Sequence, residues 1–250
     1  GKDYQTLFAN AISEGSKPVN EKGIYTGFEA KLSSQFFLNA YLDIFQSDWL
    51  RYQVNAPSSG KEYLAQLTWR PSRKIEAYMR LRYVEKEVNT DDRTTPLRYT
   101  ESRTQQNIRF NITYKVNDWL TLRNRFEMLE FTQPTKISEN GYLLYQDIAY
   151  KALSSPISVT LRYALFDTDG YNSRIYAYEN DVLYVFSVPA YYYRGSRAYL
   201  LLRYQHKKWF DVWVRYGIWL YNNRTSIGSG LDQIEGNRRS DIKVQIRFSF

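Results

Sequence analysis

The chain has 250 residues, a formal net charge of +8, and 24 Tyr, 13 Phe and 6 Trp against no Cys and a single His, His206. This excludes a disulfide framework, a thiolate zinc site, a cysteine nucleophile and a His-rich metal centre. Mean hydropathy is −0.58; no window approaches the ~18 apolar residues of a membrane-crossing helix, and the chain is too aromatic for disorder. No secretory leader is legible, so Gly1 reads as a processed or truncated start.

In chain order, the elements follow a period of two. Tyr4–Ile12 is the weakest strand, because Gln5, Leu7, Ala9 and Ala11 make a poor apolar face. Over Ile75–Tyr83, Ile75, Ala77, Met79, Leu81 and Tyr83 oppose Glu76, Tyr78, Arg80 and Arg82. Over Asn107–Lys115, Ile108, Phe110, Ile112 and Tyr114 oppose Asn107, Arg109, Asn111, Thr113 and Lys115. Ile157–Leu165, Phe210–Leu220 and Asp241–Phe250 alternate in the same way, which is strand periodicity. No segment carries a helical apolar stripe. The seven prolines fall between or at the margins of these runs, as residues without a ladder N–H must.

Short joins (33–35, 71–74, 117–118, 153–156 and 206–208) alternate with long polar ones (14–21, 46–60, 85–103, 134–140, 168–173 and 223–239). The rhythm holds throughout if Arg174–Glu179 and Val182–Val188 are two strands that turn at Asn180-Asp181. The count is then about 14 strands. The expected fold is all-β, a transmembrane antiparallel up-and-down β-barrel forming one domain over residues 1–250. It has short periplasmic turns and long outer loops, and it closes on its own strands or belongs to a larger barrel.

Alternation also suits a soluble sandwich. Three features favour acyl chains. The apolar faces are long, with mid-strand Arg, Lys, Asp and Glu opposite them. Trp69, Trp119 and Trp209 stand beside short turns, like an interfacial girdle. The chain ends on an alternating strand carrying Phe248 and Phe250, like the assembly signal of bacterial outer-membrane barrels. The expected location is the outer membrane. Expected partners are its lipid and lipopolysaccharide, and barrel-assembly machinery acting through the last strand.

Four stretches carry a resemblance: YLDIFQSDWLRYQVNAPSSG (41–60), WRPSRKIEAYMRLRYVEK (69–86), RIYAYENDVLYVFSVPAYYYRGSR (174–197) and IGSGLDQIEGNRRSDIKVQIRFSF (227–250). They resemble the C-terminal β-barrel region of Bacteroidota outer-membrane proteins whose N-terminal part carries helix-hairpin-helix repeats of the competence type. The resemblance covers most of the chain and implies location and architecture more than activity. The helix-hairpin-helix part, which would imply contact with nucleic acid, is absent here.

By parity, Arg80, Arg82, Arg109, Lys115, Arg123, Arg125, Arg162, Arg203, Arg215, Lys243 and Arg247 face the lumen, with Glu76, Glu127, Asp211 and Asp241. Cations outnumber acids in this set. One reading is a basic channel or translocation pore that lowers the barrier for anions. The other is a salt-bridged, non-conducting barrel that anchors a periplasmic or surface protein. Asp91, Asp92, Asp167, Asp169 and Asp232 lie in outer loops without the ligand order of a calcium loop, so solvated loops are expected and neither metal nor cofactor. Gly228-Ser229-Gly230 lacks the helix of a dinucleotide fingerprint. The Tyr191–Tyr193 run reads as a strand end at headgroup level. His206 sits in a short turn, remote from the outer rim, so no catalytic arrangement is expected.

Overall fold

The structure is a computed structural model that describes residues 13–14, 20–92, 94, 98–207 and 209–249. Its strands are β1 (Glu21–Lys31), β2 (Phe36–Ser47), β3 (Ser58–Ser72), β4 (Ile75–Asn89), β5 (Thr100–Lys115), β6 (Leu120–Thr132), β7 (Glu139–Lys151), β8 (Ile157–Thr168), β9 (Ile175–Tyr176), β10 (Ala190–Tyr191), β11 (Arg194–His206), β12 (Phe210–Tyr221), β13 (Ser226–Ile227), β14 (Ile234–Glu235) and β15 (Arg238–Phe248). Eleven of them form one sheet in the order β1-β2-β3-β4-β5-β6-β7-β8-β11-β12-β15. Among the described residues no helix is long and apolar enough to cross a membrane.

The alternating runs become strands because β-branched and aromatic side chains fit a pleated surface. Small local bonds end them. Asn117 Oδ1 accepts the Trp119 and Leu120 N–H groups at 3.1 and 2.8 Å, and Ser155 Oγ accepts the Ile157 N–H at 3.1 Å. These are side-chain-closed turns of the kind Asn and Ser favour.

The sheet has eleven strands where the sequence suggests 14. Tyr4–Ile12 lies outside the described residues. The other two expected strands, Arg174–Glu179 and Val182–Val188, are absent from the sheet: β8 pairs directly with β11, Arg194 opposite Asp167. The intervening segment keeps only the β9–β10 pairing and a Glu179–Ser187 bridge. Its polar groups bind the ionic side chains of neighbouring strands instead of a ladder.

By internal contacts the chain divides into two compact units, Gly1–Leu67, Arg80–Ile108 and Glu130–Ser138 in the first, and Thr68–Met79, Arg109–Leu129 and Glu139–Phe250 in the second. The second holds an apolar cluster that includes Leu143, Phe166, Ile175, Tyr191, Trp219 and Tyr221. There the 169–193 segment lies on β7, β8 and β12. Gly141 permits its approach, since a Cβ at that position would meet the Ser173 carbonyl oxygen.

Solvent exposure is inverted relative to a water-soluble core. Ile108, Phe110, Ile112 and Tyr114 are exposed in succession on β5, as are Leu161, Tyr163 and Leu165 on β8 and Ile242, Val244, Ile246 and Phe248 on β15. Meanwhile Arg162 and Arg215 are each 1% exposed, Glu127 2% and Asp211 0%. Water would drive the opposite arrangement, because charged side chains are almost never fully buried unless paired. Trp69, Trp119 and Trp209 are all exposed beside short turns, and Trp209 stacks with Phe248 at 6.5 Å. Phe250 lies outside the described residues.

Leu161→Arg tests this inversion in mid-strand. In lipid vesicles it is expected to lower the unfolding free energy by about 2–4 kcal/mol, as a cation on an acyl-facing strand does. In urea titrations, a change within about 0.5 kcal/mol, the ordinary result for a surface site in water, would refute it.

Candidate functional site

The candidate site is the ionic face. In the first unit, Arg82 on β4 binds Glu62 on β3 through two bonds of 2.8 and 2.7 Å. Tyr41 donates to the same carboxylate. Arg80 donates to Gln66 Oε1 at 2.8 Å.

In the second unit, three carboxylates are each shared by two arginines. Glu127 takes Arg109 through two bonds of 2.9 Å and also pairs with Arg125. Asp147 takes Arg162 at 2.5 and 2.7 Å, with Arg123 at 3.8 Å. Asp211 takes Arg203 at 2.8 Å and Arg247 at 2.5 Å. The forked guanidinium suits such two-bond contacts, which are stronger than neutral hydrogen bonds. Strand register sets them: Asp147 lies opposite Arg162 and Asp211 opposite Arg247. Arg162 also stacks 3.8 Å from the centre of the Tyr145 ring.

A fourth cluster is balanced. Arg197, Arg215 and Lys243 meet Glu179, Asp181 and Asp241. Arg197 lies 3.0 Å from Glu179 and 3.4 Å from Asp241, Arg215 lies 2.9 Å from Asp241 and also pairs with Glu179, and Lys243 lies 2.6 Å from Asp181. Tyr191 OH donates to Glu179 at 2.7 Å. Backbone carbonyls of the same segment complete the cations: Tyr178 O accepts from Arg162 at 2.7 Å, Tyr176 O from Arg125 at 3.2 Å and Asn180 O from Arg215 at 3.2 Å. Gly217 makes room, because a Cβ there would stand 2.8 Å from both terminal nitrogens of Arg197.

The remaining sequence candidates are more peripheral. Glu76 pairs with Arg70 at 2.7 Å with both side chains largely exposed, and Lys115 is exposed at the end of β5. His206 touches Tyr204 at 3.3 Å and the Trp209 ring. Tyr191 is 0% exposed, so its place is in the aromatic cluster with Phe166 and Trp219 and not at a headgroup level. Its neighbour Tyr192 has its phenol pushed up, first by burial and then by Tyr193 and Tyr171.

In the outer loops, Asp91 pairs with Lys136 at 2.8 Å and Asp167 with Arg194 at 3.4 Å. Hydrogen bonds from Thr94 hold the Asp92 carboxyl below the usual carboxylate range. Among the described residues no group of three or more His, Asp or Glu side chains is placed to hold a metal ion.

Parity missed several partners. Arg197 shares the face of Arg203 on β11 and was legible. Asp147 was not, because β7 is apolar on both faces, with Leu143 and Tyr145 beside Leu144 and Ile148. Glu179 and Asp181 belong to no sheet strand, so no periodicity points to them.

No family model and no curated protein matches the sequence. Among solved structures, the copper transporter OprC is similar with a TM-score of 0.51 at 9% identity, over 90% of this chain and 40% of that one. The outer membrane transporter YddB from Escherichia coli gives 0.49 at 11% identity, over 84% and 40%. A Pseudomonas aeruginosa FadL homologue gives 0.43 at 11% identity, over 90% and 66%. The chain therefore spans well under half the length of the first two. The likeness to OprC is one of fold, and with the antiparallel strand order it places the chain in the all-β, antiparallel up-and-down transmembrane β-barrel fold class.

Proposed function

We propose that the chain forms wall of an outer-membrane barrel of the transport type, a channel or translocation pore with a basic ionic face turned to the permeating solute. The observation that carries this reading is stoichiometry. Glu127, Asp147 and Asp211 each serve two arginines, so each cluster retains a positive charge. Fixed cations beside a water-filled path lower the barrier for anions. The role is non-enzymatic. Lipid meets the apolar face, and the last strand, with Phe248 on that face, is the contact for assembly machinery.

A second reading, a non-conducting barrel that anchors a partner, is favoured by the 169–193 segment. Its Glu179 and Asp181 carboxylates bring the fourth cluster to three cations and three anions. A neutral, filled region conducts poorly.

Planar-bilayer recordings separate the two. The transport reading expects anion-selective current. Arg123→Ala or Arg203→Ala removes one cation and leaves a one-to-one pair. A unit charge ~8 Å from the path in water is worth about 0.5 kcal/mol, so each change should lower the anion preference roughly twofold. An ion-tight wild type, or unchanged selectivity in both variants, would defeat the proposal.

Glu179→Ala addresses the segment. It strips Arg197 and Arg215 of a shared carboxylate, and breaking such a buried pair costs about 3–5 kcal/mol. Trypsin should then cut at Arg174 faster than in the wild type, and the conductance should rise. Unchanged cleavage and unchanged current would show that the ion pairs do not hold the segment.

A further inference from the structure

In the first unit, the β2–β3, β4–β5 and β6–β7 connections surround a cavity of about 790 Å³. That volume matches sites for organic small molecules. Five cationic side chains and three carboxylates line it, a formal balance of +2. Two carboxylates are already engaged: Glu14 pairs with Lys86, and Asp91 with Lys136.

Arg51 differs from those lysines. Its terminal nitrogen donates to the neutral Glu87 carbonyl at 3.0 Å, so its charge stands unopposed by that bond. Its Nε is buried and has no hydrogen-bond partner among the described residues. Buried donors are rarely left that way in a finished structure. The residue is also fixed in place. Arg51 and Val54 close a tight turn through reciprocal backbone bonds of 3.2 and 3.0 Å, and Asn89 Oδ1 accepts the Asn55 N–H at 2.9 Å, tying the turn to β4. Arg98 and Arg103 share the wall. Trp49 and Tyr52 line the same cavity and are 64% and 89% exposed, so they offer aromatic surface to a ligand at low ordering cost.

The geometry points to a binding site for an organic dianion with a flat apolar body. The balance of +2 is met by two negative charges, the orphaned Arg51 donor by an anionic oxygen, and the two aromatic rings by the body of the ligand. This deepens the transport reading by naming a solute class, and rests on that reading only in treating the ligand as a transported solute. Binding is measured without current, so failure here and failure of the pore are separate results.

The test is calorimetric titration of the full chain in neutral lipid nanodiscs with 1,5-naphthalenedisulfonate, a permanent dianion. Saturable binding that weakens as salt rises is expected. Arg51→Gln and Arg98→Gln should each weaken it about tenfold, the loss of one charge-assisted contact. Arg70→Gln, which removes a cation paired with Glu76 in the second unit's β3–β4 hairpin, should leave it unchanged. Arg98 is exposed, so Arg98→Gln remains informative even where Arg51→Gln fails to fold. Absence of saturable binding would overturn the proposal, as would unchanged affinity in the Arg98 variant. So would equal binding of a naphthalene bearing two quaternary ammonium groups. Displacement of the probe by added lipopolysaccharide would assign the cavity to lipid phosphates and overturn the solute assignment.

Discussion

An arginine with almost no exposed surface is stable only where a carboxylate is fixed against it, and on this sheet strand register does the fixing. Asp147 stands opposite Arg162, Asp211 opposite Arg247, and Gly217, which admits the Arg197 fork, opposite Asp241. A slip of one residue would turn each of these side chains to the other face. The apolar face would then carry the ions, and neither solvent would be matched. The register is therefore specified from both sides, by hydrocarbon-compatible side chains on one face and ion pairs on the other.

The same pairs also divide the ionic face by net charge. Where two strands supply arginines to one carboxylate, a positive charge survives. Where the 169–193 segment adds its own acids, the charge is cancelled. Burying two ions is costly, and their attraction returns that cost only with good geometry and further hydrogen bonds. Those further bonds come from the segment's own backbone, through the carbonyls of Tyr176, Tyr178 and Asn180. The segment is thus ordered by the cations it neutralises, which explains why residues expected to form two more spanning strands form none.

Periodicity reads faces well and partners badly. Alternation over Asn107–Lys115, Ile157–Leu165 and Asp241–Phe250 located both faces, because a pleat sends every second side chain the same way. It could equally have reached Arg197, three two-residue repeats of the pleat from Arg203. It failed at Asp147, where the strand is apolar on both sides. It also failed at Tyr191, where an aromatic run beside a strand end reads as interfacial although the ring is enclosed by Phe166 and Trp219.

By itself the amino-acid order determined the all-β class, the antiparallel alternation of short and long joins, and which strand face carries most of the arginines. These are local consequences of a two-residue repeat and of where Pro, Gly, Asn and Ser interrupt it. Tertiary structure alone decided that Glu179 and Asp181 cross to Arg197, Arg215 and Lys243, that three carboxylates are shared two to one, and that Arg51 lines a cavity with an unmet donor. Each joins residues far apart in the chain, and such pairings depend on where the backbone travels between them, which no repeat of two can encode.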